Sequence, residues 1–202
     1  YNPGFNEIVF PAGILQPPFF DFKADDAVNY GAIGAVIGHE MTHGFDDQGR
    51  QYDYQGNLKD WWTKEDAVKF KEKADRVVRQ FSGYTVLDTV HVNGNLTLGE
   101  NLADLGGTMI AFQAFKKTAQ GKGDVKIDGF TPDQRFFLGF SQVWRGNITT
   151  ENEAVGIKTD PHAPGKWRVI GPLSNNPDFY KAFNVKSTDA MYRPDDVRAR
   201  IW

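Results

Sequence analysis

Apolar and polar positions along this chain recur with a helical period far more often than with the two-residue period of a strand. From Asp25-Asp26 to about Phe45, Ile37, Met41 and Phe45 share one side, and Ala32, Val36, His39 and His43 share the other. With no polar face of ordinary width, this helix is expected in the middle of the protein. A second helix, about Thr63 to Phe81, carries a stripe of Ala67, Phe70, Ala74, Val77 and Phe81. Glu65–Lys69, Glu72–Arg76 and Asp75–Arg79 are candidate i,i+4 pairs on its wet side. A third, from near Thr97 to about Gln120, has a seam of Leu98, Leu102, Leu105, Met109 and Phe112. Opposite that seam lie Glu100, Asp104, Gly107 and Ala111, two acids followed by small residues, a face that lets another helix come close.

Thr131-Pro132-Asp133-Gln134 places an N-cap Thr, a Pro at the first helical position and a Gln at the capping-box position before Phe136, Phe137, Phe140, Val143 and Trp144. Asn176-Pro177-Asp178 starts a shorter helix through Phe183. Strand signals are sparse: Ile8-Val9-Phe10 before Pro11, and Val86 to Val92 entering Asn93-Gly94 as a tight turn. Pro17-Pro18-Phe19-Phe20 reads as an extended connector. The pattern predicts a mainly α fold with a minor β component.

Chemistry concentrates on the first helix, in His39-Glu40-Met41-Thr42-His43. Residues four apart lie on one helical face about 6 Å apart, so both imidazoles can reach one ion, while Glu40 is rotated off that face and can address a water. A catalytic zinc site takes three protein ligands and keeps a fourth position open. Glu100 is the best candidate for the third. The competing reading makes Thr97-Leu98-Gly99-Glu100 a plain capping box, with Glu100 bonded to its own backbone. Asp104, one turn on, has no capping role and suits a carboxylate that orients a liganding His, most simply His39. His91 reads as a surface residue. His162 and Arg168 sit in Asp160-Pro161-His162-Ala163-Pro164-Gly165-Lys166-Trp167-Arg168, a segment stiffened by prolines that could present donors to an oxyanion and a carbonyl.

The 202 residues, 40% hydrophobic and 24% charged, describe one domain or one lobe of something larger. A net charge of -3 argues against a nucleic-acid partner. No cysteine is present, so thiolate ligation is excluded and His and carboxylate remain as the strong metal ligands. No stretch reaches the roughly 20 apolar residues of a membrane span. The opening Tyr1-Asn2-Pro3-Gly4 reads as a cut inside a longer protein.

Five stretches together resemble the C-terminal part of the neprilysin family of zinc endopeptidases: residues 6–20, 36–47, 98–104, 160–168 and the terminal Arg200-Ile201-Trp202. The resemblance covers nearly the whole chain. It implies a thermolysin-like (gluzincin) catalytic lobe spanning residues 1–202, one zinc ion held by His39, His43 and Glu100, and Glu40 as the general base. It further implies Asp104 as an orienting acid and proton donor, His162 as oxyanion stabiliser, and Arg168 as the group that binds a substrate carbonyl. Ile14, Phe19, Val36, Val143 and Trp144 fall on the walls of the family's apolar pocket, and plain core packing is the alternative for those five. The expected substrates are oligopeptides cut on the amino side of apolar residues.

Other partners implied are a helical N-terminal lobe absent from this chain and no nucleic acid. Animal members carry cysteines near Val185, Arg145 and Ala199; their absence here implies a bacterial relative, expected outside the cytoplasm. A non-catalytic zinc-containing peptide-binding module, an inactive isolated lobe and a zinc aminopeptidase are the competing readings.

Overall fold

The computed structural model describes residues 1–201; Trp202, which ends the Arg200-Ile201-Trp202 motif, lies outside the described residues. α1 (Asp26–Asn29), a π turn (Tyr30–Gly34), α2 (Ala35–Thr42) and a 3-10 turn (His43–Phe45) follow one another directly. Asp25 starts the run by accepting a hydrogen bond from the Val28 N–H. The π turn holds a residue more per turn than an α-helix and so resets which face the following residues present.

After α3 (Lys64–Ser82) comes an antiparallel pair, β1 (Thr85–Val86) and β2 (Val90–His91). α4 (Leu98–Phe115), α5 (Ala119–Lys122), α6 (Pro132–Val143), α7 (Thr150–Thr159), α8 (Gly165–Leu173) and α9 (Pro177–Phe183) complete the described α-helices. The fold is mostly helical, as the periodicity predicts. Among the described residues no helix is long and apolar enough to cross a membrane.

α4 is the spine between two cores. Leu102 and Leu105 join Phe70, Ala74, Val77 and Phe81 of α3. Further along, Ala111, Phe112 and Phe115 join Phe136, Phe137 and Phe140 of α6. The rings there interlock, Phe112 edge-on to Phe136 and stacked on Phe137, each at 5.1 Å between centroids. Burying both flanks of α4 fixes its rotation, so the short stretch carrying Glu100 and Asp104 has one way to point.

α2 lies against that stretch almost backbone to backbone. A Cβ on Gly107 would sit 2.5 Å from the His39 nitrogen, and one on Gly38 2.7 Å from the Gly107 carbonyl oxygen. Side chains of any size there would push the two helices apart. The small-residue face read from the sequence therefore has its expected partner.

Several elements depart from the sequence pattern. Ile37, Met41 and Phe45 are 41%, 49% and 49% exposed, so the helix expected to be buried all round is buried only on its His39 side. The reason is that α4 covers one face, while the described residues leave the other partly open. The expected strand over Val86–Val92 is folded in half: Leu87 and Asp88 take positive φ, and the reversal falls there rather than at Asn93-Gly94. The third helix stops at Phe115 and restarts as α5 under a Thr118 cap. Ile8-Val9-Phe10 forms no strand; only an Asn2–Glu7 bridge is made nearby. Met109 lies partly open rather than in the seam.

On α3 the pair Glu65–Lys69 forms, but Asp75 is taken by Lys71 and Arg76 donates to the Arg198 carbonyl. α7 and α8 have no counterpart in the pattern. The stiff loop expected over residues 160–168 becomes helical from Gly165, after Pro164 as N-cap.

Candidate active site

The His39 ring meets three groups, Asp104, His43 and Glu100. Asp104 Oδ1 lies 2.8 Å from its Nδ1, which places the proton on that nitrogen and leaves Nε2 as a lone pair. His43 is arranged the same way: its Nδ1 lies 2.7 Å from Asp46 Oδ2, and Asp46 Oδ1 accepts from the Gln48 and Gly49 N–H groups. The two Nε2 atoms then meet at 2.9 Å, with Glu100 oxygens 3.2 Å from the first and 3.6 Å from the second. Two lone pairs and a carboxylate at these distances repel unless a cation or a proton sits among them. Glu100 Oε2 is a buried oxygen without a hydrogen bond of good geometry, although His162 Nε2 stands 3.1 Å away.

The capping reading of Glu100 fails on the same geometry. The Thr97 side chain makes no cap bond; its hydroxyl donates to the Asn93 carbonyl and accepts from Asn101. His39, His43 and Glu100 each offer one ligand atom within a 4.8 Å group. This donor set of two imidazoles and one carboxylate is what a catalytic zinc ion takes.

Electrostatics points the same way. Burial works against a charge on His39, but the Asp104 and Glu100 carboxylates, as acceptors for its ring N–H groups, outweigh it and raise its pKa to about 9. Burial would push Glu100 up, yet His162 and His39 hold it below the usual carboxylate range. Asp104 is fully buried and still lowered, because burial is outweighed by Arg168 and His39. The site is built to hold positive charge between its carboxylates.

Arg168 reaches the centre from the first turn of α8. Its Nε donates to Asp104 Oδ2 and its Nη2 to Asp104 Oδ1, both at 2.8 Å. The guanidinium lies over the Trp144 ring, 3.8 Å from the centroid, so its plane is fixed as well as its fork. Gly165 allows this: a Cβ there would stand 2.8 Å from the Trp144 carbonyl oxygen. His162 is held by Asp160, whose Oδ1 lies 2.7 Å from its Nδ1 and accepts its backbone N–H. The Glu100 carboxylate beside its Nε2, set against partial burial, raises the His162 pKa. Glu40 borders the same space, and its Oε2 accepts from the Tyr1 amine.

Ile14, Phe19, Val36, Val143 and Trp144 converge on one cavity of about 180 Å³ that reaches His39, Glu40, Asp104, His162 and Arg168. An open groove of about 340 Å³ adjoins it, sharing His39, Glu40 and His162 and running past His43 and Glu100. Every site residue singled out from the sequence is thus brought to one place. Those that sequence reasoning missed are Asp46, Asp160 and the cavity-lining Ala32, Ala35 and Phe140. The signal for the two acids was present: each stands within three residues of a candidate His, where a turn can fold the carboxylate back onto the ring.

Residues 1–199 match peptidase family M13. The chain is 45% identical to human endothelin-converting enzyme 1 and 44% identical to human neprilysin, in each case over 100% of its own length and 26% and 27% of theirs. It spans about a quarter of the curated relatives it matches. Its fold superposes with a TM-score of 0.96, at 48% identity, on the inhibitor-bound zinc metalloprotease ZMP1 of Mycobacterium tuberculosis, covering 100% of this chain and 32% of that one. PEPO of Lactobacillus rhamnosis superposes at 0.90 with 39% identity, over 100% of this chain and 30% of that one. With nearly every residue matched and the histidine–carboxylate centre in place, the chain belongs to peptidase family M13.

Proposed function

We propose that residues 1–202 form the zinc-bearing domain of a metalloendopeptidase that cuts oligopeptides on the amino side of apolar residues. The observation that carries this reading is the meeting of two Nε2 lone pairs at 2.9 Å beside Glu100, with Glu40 next to them and an apolar cavity opening from the same point. His39, His43 and Glu100 would hold zinc, which supplies a Lewis acid and brings the pKa of bound water towards about 7. Glu40 takes the proton from the attacking water and passes it to the departing nitrogen. His162, its Nδ1 fixed by Asp160, offers Nε2–H to the oxygen on which negative charge develops. Arg168 keeps Nε and Nη2 on Asp104 and has Nη1 to donate to a peptide carbonyl. Asp104, held ionised by those contacts, has no proton to give at neutral pH; it orients His39 and Arg168.

The cavity supports the side-chain preference. Its volume of about 180 Å³ compares with the roughly 150 Å³ apolar cavity that admits benzene, so it suits a Leu- or Phe-sized group. Because the chain spans a quarter of its relatives, we further propose that the remaining length supplies a lobe that limits which peptides enter. The test is Glu40→Gln in the full-length protein. One zinc per chain should be retained while turnover falls by a factor of about 10² to 10⁴. Undiminished cleavage would count against Glu40 as the base, and cleavage indifferent to phenanthroline would count against zinc chemistry. Bound zinc with no cleavage by the wild-type protein would leave a non-catalytic zinc module as the better description.

A further inference from the structure

A separate cavity of about 530 Å³ shares no lining residue with the metal site. Arg76 and Arg79 of α3 and Arg193 of the C-terminal segment line it, with Gln80, Tyr84 and Asp196. Among the described residues, none of these three guanidinium groups forms an ion pair with a carboxylate. Arg76 donates to the Arg198 carbonyl and Arg193 Nη2 to the Val197 carbonyl, each at 3.2 Å. Arg193 Nε is buried with no hydrogen-bond partner among the described residues. The acids that could have neutralised them are engaged elsewhere, Asp75 by Lys71 and Asp195 by Arg198 and Arg200. Three cations against the single acid Asp196 leave a formal charge of +2 (three minus one) around one concavity.

A buried donor without an acceptor is costly and marks a place where a group is missing. Guanidinium forks match the paired oxygens of phosphate, and a phosphate monoester carries about −1.5 to −2 charges at neutral pH, which balances this site. We infer that the cavity binds a phosphate-class oxyanion, free phosphate or the phosphate of a monoester, clamped between α3 and the C-terminal segment. The anion ties the last residues of the chain to α3 without touching the peptidase centre.

Titration calorimetry of the intact, zinc-loaded protein with inorganic phosphate and with glycerol phosphate, against chloride matched for ionic strength, tests this. One saturable site is expected for phosphate but not chloride, with a rise in Tm. Tighter binding of glycerol phosphate assigns the ester, and tighter binding of inorganic phosphate the free ion. Arg193→Lys should lose part of the affinity, since charge is kept and the fork is not. Arg79→Gln removes an exposed side chain that makes no bond, so folding is not at stake; it should weaken phosphate at least tenfold and leave peptide cleavage unchanged. Equal stabilisation by chloride, or an unaltered phosphate affinity in Arg79→Gln, overturns the proposal.

Discussion

His43 donates its Nδ1–H to Asp46, whose other oxygen is anchored by two backbone N–H groups, so the ring turns against a partner that is itself held in place. Orienting carboxylates of this kind typically contribute a factor of 10 to 100 to metal affinity. Asp46→Asn is therefore expected to weaken zinc binding by about that factor, read by competition with a chromogenic chelator; an unchanged affinity would show that Asp46 only supports the turn.

His39 makes a pH prediction. Its folded pKa of about 9 stands above the ordinary histidine value of 6.5, so in zinc-free protein its proton favours folding. That contribution is complete below about pH 6.5, declines as pH rises towards 9 and is gone above it. The Tm of chelator-treated protein, referred to the zinc-loaded form, should fall across this window. A constant difference would mean that the proton does not occupy the place between the carboxylates.

At the scale of elements, α2 and α4 are held together by glycine contacts and by the ligands they carry. Gly107→Ala would bring a methyl to within 2.5 Å of the His39 nitrogen, and both partners are backbone, so the helices must separate. Overpacking of this kind costs about 1–3 kcal/mol, to be seen in the denaturation midpoint, and zinc affinity should fall with it. Loss of stability with metal binding intact would show that the ligands tolerate the separation.

The elements also show what the sequence made legible. α3, α4 and α6 were readable because each carries an apolar stripe, and α6 also carries its capping box. α7 was not, since Ile157 is its one buried residue. α8 was hidden by Pro164 and by Gly165, Gly171 and Pro172, which read as loop although Pro164 caps the helix and Gly165 and Gly171 serve close packing against Trp144 and Phe81. The metal ligands were legible because two are four residues apart and the third had an orphan acid one turn on. Asp46 and Asp160 carried only a weak signal, their place within three residues of a candidate His, and that spacing alone does not separate an orienting carboxylate from a solvated one.

Over the whole molecule, a zinc ion held by His39, His43 and Glu100 would cross-link α2 and the turn after it to α4, since the two histidines come from one helical run and Glu100 from another. Removing it should lower Tm in a manner that depends on free zinc. At a thousandfold excess over Kd the stabilisation is about 4 kcal/mol. A Tm insensitive to zinc would place the ion outside the folded centre. The exposed side of α2, with Ile37, Met41 and Phe45, was read from the sequence as interior. A periodic apolar face records that something covers a helix, and does not record whether the cover is within these residues.

Asp104 serves two masters: one carboxylate accepts from both a zinc ligand and the arginine proposed to greet the peptide. A carbonyl that took Nη1 of Arg168 would share the charge of a guanidinium still bonded to Asp104, which would leave more negative charge for His39 and make it a more basic ligand for the ion. Substrate and metal then reinforce each other's grip, and by thermodynamic reciprocity each does so by the same factor. Occupied enzyme should surrender its zinc to a scavenger more slowly than empty enzyme, which would make a working peptidase harder to disarm than an idle one.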